Sequence, residues 1–274
     1  MPRERNDPSV VVDDRALDCA VDSHVHIASR DEVRYRRQIR GVGSRWWEDP
    51  PDADDLIEVM DANGIDRSVV AQAVGVYGFD NSYLLDACAT HPDRLAPLPA
   101  ADSDAQVREM TARADVVGIR CFLVGGTSVE VVRSALELAR TVVLTGWLHQ
   151  LVPLLGLVGG FPFVPVIIDH CGLPDWSSAD DWEALGLLAQ LTHVSVKFTG
   201  HLLHESTDAK ASFDRLASLF GTSRIIAGSD FPQASRNYAA TWSELRLLGR
   251  SDGAHYNADF LGRNACRIWF DRRT

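Results

Sequence analysis

The sequence predicts a single-domain α/β protein with the architecture of a (β/α)8 TIM barrel. Short β-branched segments alternate with longer segments of helical periodicity, eight times between residues 19 and 248. The strand segments are apolar throughout, which is typical of parallel strands that are covered by helices. A chain of 274 residues with 46% apolar residues has the size and composition of one barrel.

A doubly wound open sheet is the alternative architecture, because it can also hold eight strands. Such a sheet binds its ligand at a topological switch point, usually beside a glycine-rich phosphate loop. No such loop follows the first predicted strand. The barrel is therefore the favoured fold.

The predicted elements follow one another with short connections. In chain order the strands are residues 19–27, 67–74, 94–101, 116–123, 142–149, 164–170, 193–199 and 224–230. The helices are residues 52–63, 80–90, 103–114, 128–140, 151–159, 179–190, 208–220 and 237–248. Asp52 can cap the first helix, and the pair Asn63-Gly64 suits a left-handed turn at its end.

Three segments fall outside the repeat. Residues 1–15 are expected to form a loose arm before the barrel domain of residues 16–274, and residues 256–270 a closing helix. Residues 29–51 form a long first connection that is rich in arginine and carries Trp46. We interpret Trp46 as a wall for the substrate, with a hydrophobic plug as the alternative.

Composition excludes several classes of partner. A net charge of −11 argues against nucleic acid, because a phosphate backbone requires a basic face. No apolar run is long enough to span a bilayer, and the charged first residues lack the apolar core of a signal peptide. Five scattered cysteines are typical of reduced thiols in a cytoplasmic protein. We expect a small-molecule substrate and leave the oligomeric state, including a homodimer, open.

Titratable side chains occur where the predicted strands end, and in a barrel these ends meet at the catalytic face. Two histidines spaced two residues apart in the first strand project from one of its faces. Buried ionisable groups are costly unless they are paired or bind a metal, so the whole set indicates an active site. Its members are His24, His26, Arg120, His149, His170, Lys197 and Asp230.

Some of these residues have structural interpretations as well. His149 could cap the helix that follows it, Arg120 could pair with a structural carboxylate, and Lys197 could extend to the rim. Two further histidines beyond the seventh strand, His201 and His204, could line the mouth of the barrel.

Five motifs resemble the amidohydrolase superfamily, in its amidohydrolase-related branch of metal-dependent hydrolases and lactonases. That branch includes lactonases acting on pyrone dicarboxylate, sulfomuconolactone and sugar lactones, and a sister branch holds zinc-dependent decarboxylases. The motifs are Asp22-Ser-His-Val-His26, Ile168-Asp-His-Cys-Gly-Leu-Pro174, Val196-Lys-Phe-Thr-Gly200, Ala227-Gly-Ser-Asp-Phe-Pro232 and Asn264-Ala-Cys-Arg267.

The resemblance implies one divalent metal ion, zinc in particular. Its ligands would be His24, His26, His149 and Asp230. Arg120 stands where binuclear members place a carboxylated lysine, so a second ion is not expected. Because some lactonases of the branch work without metal, a metal-free mechanism stays open.

The main hypothesis is a lactonase that opens an anionic lactone. Asp230 would take a proton from water, His26 or the metal would polarise the carbonyl, and His170 would hold the developing oxyanion. Arg120, Lys197 and Trp46 would bind the substrate, helped by arginines of the first connection.

Two alternatives remain open at this point. A zinc-dependent decarboxylase of an aromatic or unsaturated acid would use the same ligands and would require His149 among them. The second alternative is a barrel that binds a small molecule without catalysis. The titratable residues at the strand ends argue against it, because binding alone does not require them. All catalytic hypotheses require His24, His26, His170 and Asp230 to converge at one mouth.

Overall fold

Eight parallel strands form the centre of the computed structural model, which describes residues 19–39, 45–249 and 258–271. The predicted N-terminal arm lies outside the described residues. The strands are β1 (Val21–Val25), β2 (Arg67–Ala71), β3 (Leu95–Leu98), β4 (Ile119–Phe122), β5 (Val142–Thr145), β6 (Val166–Ile168), β7 (Val194–Thr199) and β8 (Ile225–Gly228).

The strands pair in sequence order, β1 to β3 in one sheet and β4 to β8 in another. Parallel bridges join the two sheets at both seams, Ala100 with Arg120 and Val25 with Phe231. At the second seam, the His26 amide donates a hydrogen bond of 2.7 Å to the Phe231 carbonyl. The predicted (β/α)8 TIM barrel is therefore confirmed, and the open-sheet alternative is wrong.

Helices alternate with these strands. They are α1 (Ala53–Ala62), α2 (Val74–Tyr77), α3 (Ser82–Thr90), α4 (Asp104–Thr111), α5 (Val129–Leu138), α6 (Leu148–Leu151), α7 (Leu155–Gly159), α8 (Ala179–Ala189), α9 (Gly200–Glu205), α10 (Ala209–Phe220) and α11 (Tyr238–Leu248). None of the helices within the described ranges is long and apolar enough to cross a membrane.

The predicted ends of α1 are confirmed. The Asp52 side chain accepts hydrogen bonds from the amides of Asp54 and Asp55, and so satisfies two donors of the first turn. Gly64 has a φ of +64°, a left-handed conformation that glycine adopts without a steric penalty.

The predicted end of the fifth strand is wrong. β5 stops at Thr145, and Leu148–Leu151 forms the short helix α6. Leu148 extends the apolar run of the strand in the sequence. In the structure it is buried together with Leu151, at the i, i+3 spacing of a helix.

Side chains that point into the barrel form a separate small core. Val69, Val143 and Ile226 belong to it, and Ala265 and Trp269 complete it from the end of the chain. The last two lie on a helix over residues 258–270, which contains the π-helical stretches Asp259–Arg263 and Cys266–Phe270. The predicted closing helix is thus confirmed over the described residues, and we keep that name for it.

Candidate active site

His24 and His26 lie side by side at the end of β1. Both are buried, and their ring centroids are 4.9 Å apart with nearly perpendicular planes. Because successive side chains of a strand point to opposite faces, Val25 between them packs into the apolar core instead. The strand thus presents two imidazoles in one place.

Asp230 joins this pair from the loop after β8. Its Oδ1 atom lies 3.5 Å from Nε2 of His26 and 3.7 Å from Nε2 of His24. Asp230 has a positive φ of 54°, which is uncommon for a residue other than glycine and typical of functional sites. The structure brings together residues that are more than two hundred positions apart in the sequence.

The three ligand atoms fit a divalent metal ion. They lie within 4.8 Å of one another, and two atoms that share a zinc ion in tetrahedral geometry are about 3.4 Å apart. His24 Nε2 and Asp230 Oδ1 are buried and have no hydrogen-bond partner among the described residues. His26 Nδ1 lies 2.9 Å from the Ala71 carbonyl, so it donates there and leaves Nε2 free to bind a metal.

The protonation states of the histidines suit such a site. Burial lowers the pKa of His24 well below its usual value and that of His26 to about 3. Both imidazoles are therefore neutral, which is the form that binds a metal. Burial raises the pKa of Asp230 well above its usual range, and a cation beside that carboxylate would favour its ionised form.

Asp169 stands at the centre of the buried charges, and the sequence analysis missed it. Its Oδ1 atom lies 3.0 Å from Lys197 Nζ and 3.3 Å from His24 Nδ1. Its Oδ2 atom accepts hydrogen bonds from Arg120 Nε at 2.9 Å and from Thr145 Oγ1 at 2.6 Å. Burial alone would raise the pKa of Asp169, but Lys197, His24 and Arg120 hold it well below its usual range.

A signal for Asp169 exists in the sequence. It directly follows the apolar residues of β6, where a carboxylate is buried and needs partners. The sequence analysis assigned a functional role to the neighbouring His170 and none to Asp169. A carboxylate that accepts from the second nitrogen of a metal-binding histidine is the usual support for such a ligand.

Arg120 and Lys197 reach the site, but each has an internal partner. Arg120 is only 3% exposed and also donates to the Gln72 carbonyl at 3.0 Å. Lys197 is fully buried, so the interpretation that it extends to the rim is wrong. Arg120 thus pairs with a buried carboxylate, Asp169, which agrees with the structural interpretation of this residue.

His170 lies beside His24, with ring centroids 4.8 Å apart. Its Nδ1 atom is 2.7 Å from the Thr199 hydroxyl, and burial lowers its pKa to about 3. His24, Asp169 and His170 form a second group of ligand atoms within 4.8 Å. That group is the poorer metal site, since Asp169 already binds Lys197 and Arg120.

The structure does not bring His149 to the site. The residue lies on α6, is exposed, and stacks on Trp147 with ring centroids 5.9 Å apart. It belongs to neither of the groups of candidate metal ligands found among the described residues. The cause is the early end of β5, which places Thr145 at the position facing Asp169.

Two aromatic side chains stand on either side of the histidines. Trp46 is buried, with its ring nearly parallel to that of His26 at 6.2 Å. His201 lies 5.7 Å from His170, and the Nε2 atom of its partly exposed ring lies 3.2 Å from Glu205 Oε1. The expectation that His201 lines the mouth agrees with this position.

Four arginines of the first connection form ion pairs with acidic side chains. Their partners are Asp52 and Asp55 for Arg30, Asp86 for Arg34, Glu32 for Arg37 and Glu48 for Arg45. Arg40 lies outside the described residues. Direct contact of Arg30, Arg34, Arg37 or Arg45 with a substrate would thus compete with these ion pairs.

A family model described as amidohydrolase matches residues 21–270 of the chain. A comparison with curated proteins finds no match.

Solved structures share the fold at low sequence identity, and we describe three. An amidohydrolase from Burkholderia multivorans with bound zinc has 21% identity and a TM-score of 0.75, over 91% of this chain and 98% of the other. A probable 2-pyrone-4,6-dicarboxylic acid hydrolase from Acinetobacter baumannii with bound citric acid has 19% identity and a TM-score of 0.73, over 91% and 98%.

The third is 5-carboxyvanillate decarboxylase from Novosphingobium aromaticivorans with manganese and 4-hydroxy-3-methoxy-5-nitrobenzoic acid. It has 16% identity and a TM-score of 0.64, over 91% of this chain and 95% of the other. Since these identities are low, the structural likenesses show the fold and leave the reaction open.

Proposed function

Because its residues 21–270 match that family's model, the chain belongs to the amidohydrolase family, and we propose that it is a metal-assisted lactonase. The observation that carries the proposal is the convergence of His24 Nε2, His26 Nε2 and Asp230 Oδ1 in a buried place. A divalent ion bound by these atoms would polarise a carbonyl and acidify water at neutral pH. Zinc is the proposed ion, and the Burkholderia multivorans relative binds zinc.

Asp230 is the proposed general base. Its carboxylate reaches the common centre of the histidines, where it takes a proton from the attacking water. The same carboxyl group then returns the proton to the alkoxide that leaves when the ring opens. This role requires the ionised form of Asp230 at the start of the cycle.

His170 is the proposed donor to the developing oxyanion. The Thr199 hydroxyl contacts Nδ1, so Nε2 is the nitrogen left to contact a substrate. In the proposed tautomer the Thr199 hydroxyl donates to Nδ1, so the neutral ring carries its proton on Nε2 and can donate it to the substrate. A donor placed in this way contributes a few kcal/mol to transition-state stabilisation.

An anionic lactone is the proposed substrate class. With the proposed divalent ion in place, Arg120, Lys197 and the ion would carry four positive charges against two on the ionised Asp169 and Asp230, and this excess would attract an anion to the site. The attraction acts through the field of the site, because the donors of both cations bind internal partners. The Acinetobacter baumannii relative holds citric acid, whose carboxyl groups ionise at neutral pH. Trp46, whose ring lies nearly parallel to that of His26, is the proposed wall of the substrate site.

The decarboxylase is the less favoured alternative. It requires a metal ligand from the fifth strand, and His149 is exposed on α6. A cytoplasmic location and a homodimer stay predictions.

The test of the lactonase proposal combines metal content with turnover. Protein purified without chelator is analysed for bound metal and assayed against anionic and neutral lactones and against aromatic carboxylic acids. We expect about one equivalent of zinc and opening of an anionic lactone. Release of carbon dioxide from an aromatic acid, with no lactone opened, would overturn the proposal.

A further inference from the structure

Two cysteines meet at the end of the barrel that the closing helix covers. Cys19, just before β1, and Cys266, on the closing helix, have their Sγ atoms 2.8 Å apart. They are separated by 247 positions in the sequence and are both partly buried. A disulfide has an S–S length of about 2.05 Å, so a bond would require a shift of less than about 1 Å.

The backbone of the closing helix also packs closely against the backbone at Cys19. A Cβ atom added to Gly262 would lie 1.7 Å from the carbonyl oxygen of Cys19, so only glycine permits this approach. Cys266 follows Gly262 by four residues, about one helical turn, and therefore lies on the same side of the closing helix. The contact between the sulfur atoms thus belongs to a fixed packing of two segments.

The other three cysteines lie in different surroundings. Cys88, Cys121 and Cys171 are at most 2% exposed. Cys171 donates to the Lys197 carbonyl, and burial raises the pKa of its thiol above that of a free cysteine. These three thiols serve as internal controls.

We propose that Cys19 and Cys266 form a reversible disulfide that fastens the closing helix to the start of β1. The oxidant is a low-molecular-weight disulfide such as oxidised glutathione. One of the two thiolates attacks it and releases one glutathione thiolate. The second cysteine then attacks the protein sulfur of the mixed disulfide and releases the other glutathione, so that two electrons and two protons pass to glutathione.

Both thiols are partly buried and their sulfur atoms are in contact, so either thiol can make the first attack. Fastening the closing helix also holds Trp269, whose ring lies 5.2 Å from Lys197 Nζ.

The test is peptide mapping of the intact chain after exposure to oxidised glutathione. Trypsin releases Cys19 in residues 16–30 and Cys266 in residues 264–267, so the bond joins two identifiable peptides. We expect this linked pair in monomeric protein, with alkylation of Cys88, Cys121 and Cys171 unchanged after denaturation. The oxidised form should have a Tm higher by at least about 5 °C, a gain that dithiothreitol removes.

Matched variants test the second step. Cys266→Ser and Cys19→Ser each lack the second thiol, so each should keep one glutathione as a mixed disulfide and should show no gain in Tm of the kind expected for the linked pair. Absence of the linked peptides, or a bond formed only between two chains, would overturn the proposal.

Discussion

His24 Nδ1 lies 3.3 Å from Asp169 Oδ1, on the side of the ring opposite to the proposed metal-binding nitrogen. Lys197 Nζ lies at the same distance of 3.3 Å from Nδ1. A metal at Nε2 would require the tautomer with the proton on Nδ1, and Asp169 is the neighbour that can accept that proton. Lys197 and Arg120 bind the same carboxylate and balance its charge in the interior. The geometry makes Asp169 the residue that positions His24.

We expect Asp169→Asn to weaken zinc binding about 10–100-fold, because a neutral amide supports His24 less well. The variant should also lose about 3–5 kcal/mol of unfolding free energy, since two buried cations lose their counter-charge. Competition with a chromophoric chelator measures the first effect, and urea unfolding measures the second.

Thr145→Val is the matched control for that experiment. It removes the hydrogen bond that Thr145 donates to Asp169 Oδ2 and the one that Thr145 accepts from Arg120 Nε, at a cost of about 1 kcal/mol each, and it keeps the charge of Asp169. Equal zinc affinities in Asp169→Asn and Thr145→Val would contradict the positioning role. If Asp169→Asn does not fold, Asp169→Glu, which keeps the charge and moves it, provides the comparison.

Two of the three histidines that the resemblance assigned to metal binding, His26 and His149, lead to opposite predictions. His26→Ala should lose most of the bound zinc, because its Nε2 atom belongs to the converging set. His149→Ala should retain a full equivalent and full activity, since His149 is exposed beside Trp147. Elemental analysis of both variants after the same purification checks the pair. Loss of zinc in His149→Ala alone would show that the site is placed elsewhere.

Much of the site could be predicted because its residues end strands of a barrel. His24 and His26 follow from the two-residue period of a strand, and Asp230 from an apolar run that stops at a polar residue. Asp169 also stands where an apolar run stops, but its role depends on the partners that it binds. Those partners come from β4, β5 and β7, and the linear sequence does not show which carboxylate they share.

The end of β5 shows a second limit. Leu148 is apolar in both the predicted strand and the observed helix, so local hydrophobicity cannot separate the two. In the structure the Gln150 side chain accepts a hydrogen bond from the Trp147 amide and so satisfies a donor at the start of the helical turn. Because the predicted fifth strand was too long, His149 was assigned to the site, whereas the structure places it on the surface.

Asp230→Asn should abolish the opening of any lactone that the wild-type protein opens. The amide has the same shape as the carboxylate but cannot take up a proton from water, so we expect kcat to fall by about 10²–10⁴. A circular dichroism spectrum and Tm close to those of the wild type would show that the fold is intact. Turnover within a few-fold of the wild type would exclude Asp230 as the base.

Gly200 determines how closely the ends of β7 and β8 approach each other. A Cβ atom at this position would lie 2.2 Å from the carbonyl oxygen of Ser229, the residue before Asp230. We therefore expect Gly200→Ala to lower the unfolding free energy by about 1–3 kcal/mol and to reduce zinc binding by displacing Asp230.

Gly186 on α8 has open space around it, so Gly186→Ala should instead stabilise the protein by about 0.5–1 kcal/mol. Urea unfolding and zinc titration of the two variants compare an added methyl group at each place. Unchanged zinc affinity in a destabilised Gly200→Ala would mean that the position of Asp230 does not depend on this contact.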